Sequence, residues 1–385
     1  MNVLKNIVVG AGLTGAVLAH KIAAELDEKV SVIDRRPHIA GNCYDEFDEE
    51  GLYIKKYGPH IFHTNDKRVW DFLSQFTEWH SFFLRTSAIV DGNLINIPFN
   101  LDSIEKCFPK SLAARLEEKL LEKYEYNSRI SILQLLEQDD KDLKFLTNYV
   151  YEKVFKNYTE KQWGVSAEEV DKSVLGRVPV LISRDNRYFQ DKYQGIPKDG
   201  YTAMVAKMLD HPNIEVKLNT PFDHNVHKAE RLIFTGCIDE FFNYKYGKLS
   251  YRSLKFDFRR LNREFYQPSA IVNYPNDYDF TRITEFKHFL DIKSSKTAIA
   301  VEYPQNYETG KNEPYYPVAN RENHDLLAKY QSDAAKIDGL IIAGRLGEYK
   351  YYNMDAAVAR ALELFEKEVR HERFREKSHI SYSCR

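Results

Sequence analysis

NIVVGAGLTG, residues 6–15, joins a short apolar run to a glycine-rich turn. After the turn, apolar residues recur at helical spacing over residues 16–26, and a second apolar run at residues 30–33 ends in Asp34. A strand, a glycine turn, a helix and a second strand followed by an acid form one βαβ unit. The stretch therefore predicts an α/β fold of the Rossmann type at the start of the chain.

The glycine turn predicts a dinucleotide site. In the pattern G-x-G-x-x-G, Gly10 permits a tight turn, Gly12 lets backbone amides approach a pyrophosphate, and Gly15 lets helix and strand pack closely. The helix N-terminus adds partial positive charge for the phosphates. Asp34 can accept from ribose hydroxyls and would repel a 2′-phosphate, which argues against NADP. A glycine turn in a ligand-free α/β domain is the alternative. The predicted contacts of this motif are Gly10, Gly12, Leu13, Thr14, Gly15 and Asp34.

Composition excludes several classes of protein. Hydrophobic residues make up 43% and charged residues 29% of the 385 residues, as in ordinary globular proteins. Lys plus Arg number 55 against 57 Asp plus Glu, so no net field favours nucleic acid or an anionic membrane. The 4 cysteines form no C-x-x-C pair, so we expect neither a zinc site nor a disulfide framework. The start of the chain has no signal-peptide pattern, and no run is apolar enough to span a membrane, so we expect a cytoplasmic protein without membrane insertion.

The pattern changes twice along the chain. Residues 112–124, 131–137 and 143–158 show helical spacing, and residues 246–303 contain alternating runs typical of an antiparallel sheet. Apolar runs at residues 232–234 and 340–343 could rejoin the first βαβ unit, and residues 355–369 predict a closing helix. We expect a discontinuous dinucleotide-binding α/β domain (1–80, 200–245, 335–385), a helical domain with a mobile lid (101–180) and a six-stranded antiparallel sheet domain (81–100, 181–199, 246–334).

The segment after Asp34 favours FAD over NAD. Residues 35–42, RRPHIAGN, resemble the segment that follows the ribose acid in a large class of flavoproteins. Arginines and a Gly-Asn turn supply donors for phosphates. Without the preceding motif, a solvated basic loop would be the better interpretation. The candidate cofactor contacts in this segment are Arg35, Gly41 and Asn42.

Two further strings suggest a site but do not define it alone. His60 and His63 stand three apart in YGPHIFHT, residues 57–64. With no supporting cluster we reject a metal site, and a place beside the flavin and a purely structural role are about equally favoured. Trp163 precedes a glycine, which suggests an exposed ring on a movable loop, whereas a core tryptophan at a helix end is the alternative.

Together these strings resemble the prokaryotic UDP-galactopyranose mutases over nearly the whole chain. The strings that carry the resemblance occur in the family's order: GPHIFHT (58–64), YTEKQWG (158–164), TRITE (281–285), PYYP (314–317) and GRLGEYKY (344–351). The resemblance implies an FAD enzyme that is active only when reduced and that interconverts a nucleotide-linked hexopyranose and hexofuranose, UDP-galactose first of all. It implies that flavin N5 attacks the anomeric carbon, displaces the diphosphate and forms a covalent flavin–sugar intermediate, with no net redox change.

The resemblance also implies residue roles and partners. Arg177 and Arg282 match the paired arginines that clamp the diphosphate, His60 and His63 fall beside the isoalloxazine and the sugar, and Arg345 and Met354 match a flavin-contacting turn. The implied substrate contacts are Phe155, Tyr158, Trp163, Tyr188, Arg252, Tyr316, Tyr351, Asn353 and Leu84. NAD(P)H or another reductant would reduce the flavin, the product would feed cell-surface glycan synthesis, and a homodimer is expected.

Some positions depart from the family pattern. Ala40 replaces a usual glycine, Leu84 stands where many members carry Asn, and Val154, Phe286 and Asn353 also differ. A less polar pocket favours a 6-deoxy sugar nucleotide such as dTDP-fucopyranose as the alternative substrate, because an apolar wall would leave a hydroxyl unpaired. A net-redox FAD oxidoreductase and a non-catalytic nucleotide-binding protein are the alternatives from other functional classes.

Overall fold

The structure, a computed structural model, describes residues 4–164, 166, 178–318 and 320–370. The strands are β1 (Leu4–Val9), β2 (Val30–Ile33), β3 (Asp45–Phe47), β4 (Tyr53–Lys55), β5 (Phe62–Thr64), β6 (Trp79–His80), β7 (Thr86–Val90), β8 (Asn93–Ile97), β9 (Arg129–Ile130), β10 (Val180–Leu181), β11 (Tyr193–Pro197), β12 (Ile214–Lys217), β13 (Ala229–Phe234), β14 (Tyr251–Leu261), β15 (Ile271–Asn273), β16 (Arg282–Glu285), β17 (Thr297–Asn306), β18 (Tyr316–Pro317) and β19 (Leu340–Ile342).

Most helices are short. The α-helices are α1 (Leu13–Leu26), α2 (Lys67–Leu73), α3 (Leu101–Cys107), α4 (Lys110–Lys123), α5 (Ile132–Leu136), α6 (Lys141–Val150), α7 (Asn157–Trp163), α8 (Gly200–Leu209), α9 (Ile238–Phe241), α10 (Arg321–Ala334), α11 (Gly344–Gly347) and α12 (Met354–Leu364). There are also 3₁₀ turns at Gly41–Cys43 and Phe286–Phe289 and π-helical turns at Tyr151–Lys156 and Phe365–Val369.

A parallel sheet carries the glycine turn. Its order is β12-β2-β1-β13-β19, and all neighbouring pairs are parallel. All residues of β2 are buried, as expected for a parallel strand covered on both faces. The later apolar runs do rejoin the first βαβ unit, as β13 and β19, so the Rossmann-like domain is discontinuous. Helix α1 begins at Leu13, before the predicted residue 16, because Gly12 is its N-cap.

The second large sheet corrects the predicted count of six antiparallel strands. It has seven, in the order β18-β14-β17-β16-β15-β7-β8, and the pair β15–β7 is parallel. The two-residue edge strand β18 contains a proline, so it shows no alternation that a sequence pattern could reveal. The parallel pair arises because the β7–β8 hairpin comes from a distant part of the chain and joins the sheet at β15.

The helical region is interrupted where the sequence predicts one helix over residues 143–158. Helix α6 ends at Val150, the chain makes the π-helical turn Tyr151–Lys156, and α7 continues to Trp163. The predicted closing helix 355–369 is likewise α12 followed by a π-helical turn. Such turns widen a helix locally and often occur at functional sites. The first turn places Val154 and Phe155 in the core of the helical region.

Two kinds of feature are absent from the described residues. No helix among them combines the length and the apolar character that crossing a bilayer requires. No group of three or more His, Cys, Asp or Glu side chains among them could hold a metal ion.

Candidate active site

The first of two cavities lies at the carboxyl edge of the parallel sheet. It is lined by the glycine turn, Asp34 and the loop 35–43. A Cβ on Gly15 would lie 2.0 Å from the Gly10 carbonyl oxygen, so packing of the chain on itself requires this glycine. A Cβ on Gly12 would meet no protein atom closer than 3.7 Å, and its φ of −75° suits any residue. Protein packing therefore does not explain Gly12, whereas close approach of a ligand does.

Asp34 and the loop that follows it are held in place. The Asp34 carboxylate accepts from the amides of Ala11 and Arg36, each at 2.8 Å. Arg36 also donates to Asn42 Oδ1 at 2.9 Å, and its guanidinium lies 4.7 Å from the centre of the Tyr57 ring. These contacts order the loop beside the cavity. The predicted cofactor contacts Gly10, Gly12, Leu13, Thr14, Gly15, Asp34, Arg35, Gly41, Asn42, Arg345 and Met354 all line it.

The second cavity, of about 380 Å³, brings together most of the other predicted site residues. Its lining includes His60, His63, Leu84, Phe155, Tyr158, Trp163, Tyr188, Arg282, Tyr316, Tyr351 and Asn353. These residues come from the Rossmann-like domain, the helical region and the seven-stranded sheet. Arg345 and Met354 line both cavities, so the two adjoin. Arg177, the other predicted clamp residue, lies outside the described residues.

Arg282 is the cation of this cavity with the best-defined partner. Its Nε and Nη2 each lie 2.8 Å from Oε2 of Glu302, whose side chain is 3% exposed. Burial, the largest single effect, would lower the pKa of Arg282, but the Glu302 carboxylate together with Tyr158 and Tyr316 raises that pKa above its usual value. The guanidinium is therefore always charged, and its remaining N–H groups are oriented by Glu302.

The two histidines are fixed in different ways. Nδ1 of His60 lies 2.9 Å from the Gly58 carbonyl oxygen, which can only accept, so Nδ1 carries a proton. Burial, followed by the charges of Lys55 and Arg345, lowers the pKa of His60 to about 3, so the ring is neutral with a free lone pair on Nε2 at neutral pH. Nδ1 of His63 lies 3.0 Å from Asp191.

Aromatic rings form much of the remaining wall. The rings of Tyr316 and Tyr351 stack with centroids 5.4 Å apart, and the Arg345 guanidinium lies 5.3 Å from the Tyr316 ring centre. Burial is the main cause that raises the pKa of Tyr158, against the charge of Arg282, which lowers it. The Tyr158 hydroxyl therefore remains a hydrogen-bond donor at neutral pH.

Trp163 follows the second of the two interpretations offered for it. The sequence suggests either an exposed ring on a movable loop or a core tryptophan at a helix end, and Trp163 ends α7, is only 7% exposed and lines the cavity. Arg252, predicted as a substrate contact, does not line the cavity. Its Nε donates to the Gln162 carbonyl oxygen at 3.0 Å, and it also donates to Asn306. Because carbonyls at a helix end lack intrahelical partners, Arg252 caps the helix that carries Trp163.

Comparisons with known proteins give this architecture a family. The family model described as UDP-galactopyranose mutase matches residues 153–351, and an NAD(P)-binding Rossmann-like model matches residues 8–76. A probable UDP-galactopyranose mutase of Klebsiella pneumoniae is 37% identical over 93% of each chain. The chain belongs to the UDP-galactopyranose mutase family.

Other relatives show the breadth of this UDP-galactopyranose mutase family. A dTDP-fucopyranose mutase of Escherichia coli is 35% identical, over 93% of this chain and 97% of its own. A crystal structure of reduced UDP-galactopyranose mutase superposes with a TM-score of 0.72 over 95% of each chain, at 16% identity, which supports the fold. FAD is the cofactor that this family indicates, and the first cavity fits it through the unexplained Gly12 and the anchored Asp34.

Three further residues that were not predicted from the sequence contact the site residues in the structure. Phe189 stacks on His63 with ring centroids 3.6 Å apart, Asp191 contacts His63, and Glu302 pairs with Arg282. Glu302 had a signal, because a carboxylate that follows the apolar run at residues 297–301 needs a buried partner. Phe189 and Asp191 had none, since they reach the site only through the pairing of β5 with β11.

Proposed function

We propose that this chain interconverts the pyranose and furanose forms of a nucleotide-linked hexose, with UDP-galactopyranose as the preferred substrate. The observation that carries the proposal is one cavity that places an oriented cation, Arg282, with two histidines beside the residues Arg345 and Met354, which also line the cofactor cavity. Reduced FAD, when bound, supplies the nucleophile for the anomeric carbon. No nucleophilic side chain of the chain is required.

Arg282 holds the diphosphate while it is detached from the sugar. A planar group that never loses its charge suits a leaving group that must return to the same carbon. Glu302 fixes the guanidinium plane, and Tyr158 and Tyr316 present hydroxyls to the same region. We assign Arg177 the second half of the clamp from the family pattern.

The histidines and Trp163 control the sugar. His60 is neutral and offers Nε2 as an acceptor for a sugar hydroxyl, whereas His63 is oriented by Asp191 and braced by Phe189. Trp163 closes the cavity against water, and Arg252 fixes its position by donating to the Gln162 carbonyl oxygen at the end of α7. Exclusion of water protects a reactive sugar carbon from hydrolysis.

The wider setting is also proposed. We propose a three-part division with boundaries near residues 80, 100, 180, 200, 245 and 335. The two large sheets and the helical region support it, whereas β11, within the segment 181–199, pairs with β5 and β6 instead of the seven-stranded sheet. We propose a cytoplasmic homodimer, reduced by NAD(P)H or a similar donor, whose product feeds cell-surface polysaccharide synthesis.

The decisive experiment incubates dithionite-reduced, FAD-loaded protein with UDP-galactopyranose and separates the products by HPLC. We expect a furanose product with no consumption of oxidant and no product from the oxidised protein. Net oxidation of the sugar would support an oxidoreductase instead. No product from any nucleotide sugar would overturn the proposal.

The second candidate substrate is dTDP-fucopyranose. Leu84, 3% exposed, presents an apolar surface in the cavity where a 6-deoxy sugar would leave no hydroxyl unpaired. The identities of the two types of relative, 37% and 35%, do not separate the substrates. Faster turnover of dTDP-fucopyranose than of UDP-galactopyranose would favour this candidate.

A further inference from the structure

One wall of the substrate cavity contains polar atoms that no described protein group satisfies. Leu84, Thr86 and Ala88 alternate along β7 and its approach, and all line the cavity. Thr86 is 4% exposed, and its Oγ1 is buried with no hydrogen-bond partner among the described residues. The same holds for Oδ1 of Asn273, which also lines the cavity. Buried polar groups are nearly always paired, so this wall lacks a partner group.

Strand register places these two groups diagonally across from each other on the neighbouring strands β7 and β15. Asn273 on β15 pairs directly with Arg282 on β16, and Ile271 on β15 pairs with Thr86 on β7. On β7 the residue paired with Asn273 is Ala88, so Thr86 lies two residues away along that strand. With strands about 4.8 Å apart and a rise of about 3.3 Å per residue, the Cα atoms of Thr86 and Arg282 are about 12 Å apart. A sugar attached to a diphosphate that Arg282 holds spans this distance.

The surroundings leave a ligand as the natural partner. Leu84, Ala88 and Ile97 flank Thr86 in the cavity lining, and none of these side chains has a polar atom. A hydroxyl and an amide in an apolar wall are costly while unpaired, but they discriminate strongly when a ligand pairs with them. The two groups offer both donors and acceptors, which matches a sugar hydroxyl.

We propose that Thr86, assisted by Asn273, hydrogen-bonds a hydroxyl of the nucleotide sugar and thereby determines substrate specificity. The proposal rests on the proposed function and deepens it. The hydroxyl has two possible sources, the hexose 6-hydroxyl, which fucose lacks, and the ribose 2′-hydroxyl, which dTDP lacks. Although Leu84 makes this wall largely apolar, Thr86, two residues later, provides one polar group that can hydrogen-bond the substrate.

The test crosses one protein hydroxyl with two ligand hydroxyls. Thr86→Val replaces the hydroxyl by a methyl group and keeps the β-branched shape that suits a strand. Dissociation constants of UDP-galactose, UDP-fucose, dTDP-galactose and dTDP-fucose are measured on FAD-loaded protein by calorimetry, together with kcat/KM of the reduced enzyme. We expect Thr86→Val to weaken binding about tenfold for sugars that carry the recognised hydroxyl and less than about twofold for those that lack it.

The pattern identifies the source. A loss confined to the two galactose compounds assigns the hexose hydroxyl, and a loss confined to the two UDP compounds assigns the ribose hydroxyl. Thr86→Ser, which restores the hydroxyl, should recover parental affinity. Ser87→Ala is the matched control, because it removes a hydroxyl from the opposite face of the same strand and should change none of the four constants.

Two results would overturn the inference. Equal loss for all four compounds would mean that Thr86 recognises neither the hexose 6-hydroxyl nor the ribose 2′-hydroxyl, and no loss for any would mean that its hydroxyl touches no ligand. Failure of the proposed function is distinguishable, because reduced enzyme would then isomerise none of the four compounds while the binding pattern still reports on Thr86.

Discussion

Replacing Arg282 by methionine would remove a cation that faces the nearly buried carboxylate of Glu302. Both donating nitrogens lie 2.8 Å from one carboxylate oxygen, and Thr281 donates to the other at 3.3 Å. Removing one partner of such a pair leaves an uncompensated charge, at a cost of about 3–5 kcal/mol. We expect Arg282→Met to lower the free energy of unfolding by about 3 kcal/mol, because 19% of its side chain remains exposed.

The double variant separates stability from function. Arg282→Met with Glu302→Gln contains no unpaired charge, so its free energy of unfolding should return to within about 1 kcal/mol of the parent. The coupling energy in the double-mutant cycle should therefore reach about 2 kcal/mol or more. Affinity for UDP should not return, because the cation that meets the diphosphate is still missing, and we expect a loss of about a hundredfold in both Arg282 variants.

The assay is urea unfolding of the FAD-loaded proteins, followed by far-UV circular dichroism, with UDP binding measured by calorimetry on the same samples. Glu302→Gln alone supplies the fourth corner of the cycle. Additive losses of stability would show that the two side chains do not act as a pair. Recovery of UDP affinity in the double variant would refute the role of Arg282 in holding the diphosphate.

Three further changes test other parts of the structure. The pKa of His60 in the folded state is about 3 against about 6.5 unfolded, so its contribution to stability is complete above pH 6.5 and declines as pH falls. The difference in unfolding free energy between the parent and His60→Gln should thus shrink by about 3 kcal/mol from pH 7 to pH 4; a constant difference would argue against a neutral His60. Ala40 has a φ of 68°, so Ala40→Gly should raise the free energy of unfolding by about 0.5 kcal/mol. Gly41→Ala brings a Cβ within 2.9 Å of a backbone atom, so this variant should lose FAD, which is measured as a drop in visible absorbance. Equal FAD content in both would contradict this. Arg252→Met should shift Trp163 emission to longer wavelength and weaken UDP binding, with Trp163→Phe as the spectral control; an unchanged spectrum would exclude capping by Arg252.

Local patterns explain what could be predicted from the sequence. The βαβ unit follows from strand and helix periodicity and from three glycines at a fixed spacing, of which Gly15 packs against Gly10 within the turn itself. The later strands β13 and β19 were recognisable because each contains a short apolar run, residues 232–234 and 340–342, as parallel strands in a covered sheet do. Family strings added the residues that surround the second cavity, and most of them do meet there.

What could not be predicted depends on register and on packing between distant segments. Arg252 stands on β14 as one basic residue in an alternating strand, and nothing local says that its guanidinium reaches the end of α7 instead of the cavity. Thr86 is an ordinary strand residue until β7 pairs with β15 and brings it diagonally across from Asn273. From the sequence, a charged or hydroxyl side chain in a strand shows only that it needs a partner if it is buried. Whether that partner is protein or substrate depends on how distant segments pack. For Glu302 the partner is Arg282. For Thr86 no described side chain takes that place, which is why we propose the substrate as its partner.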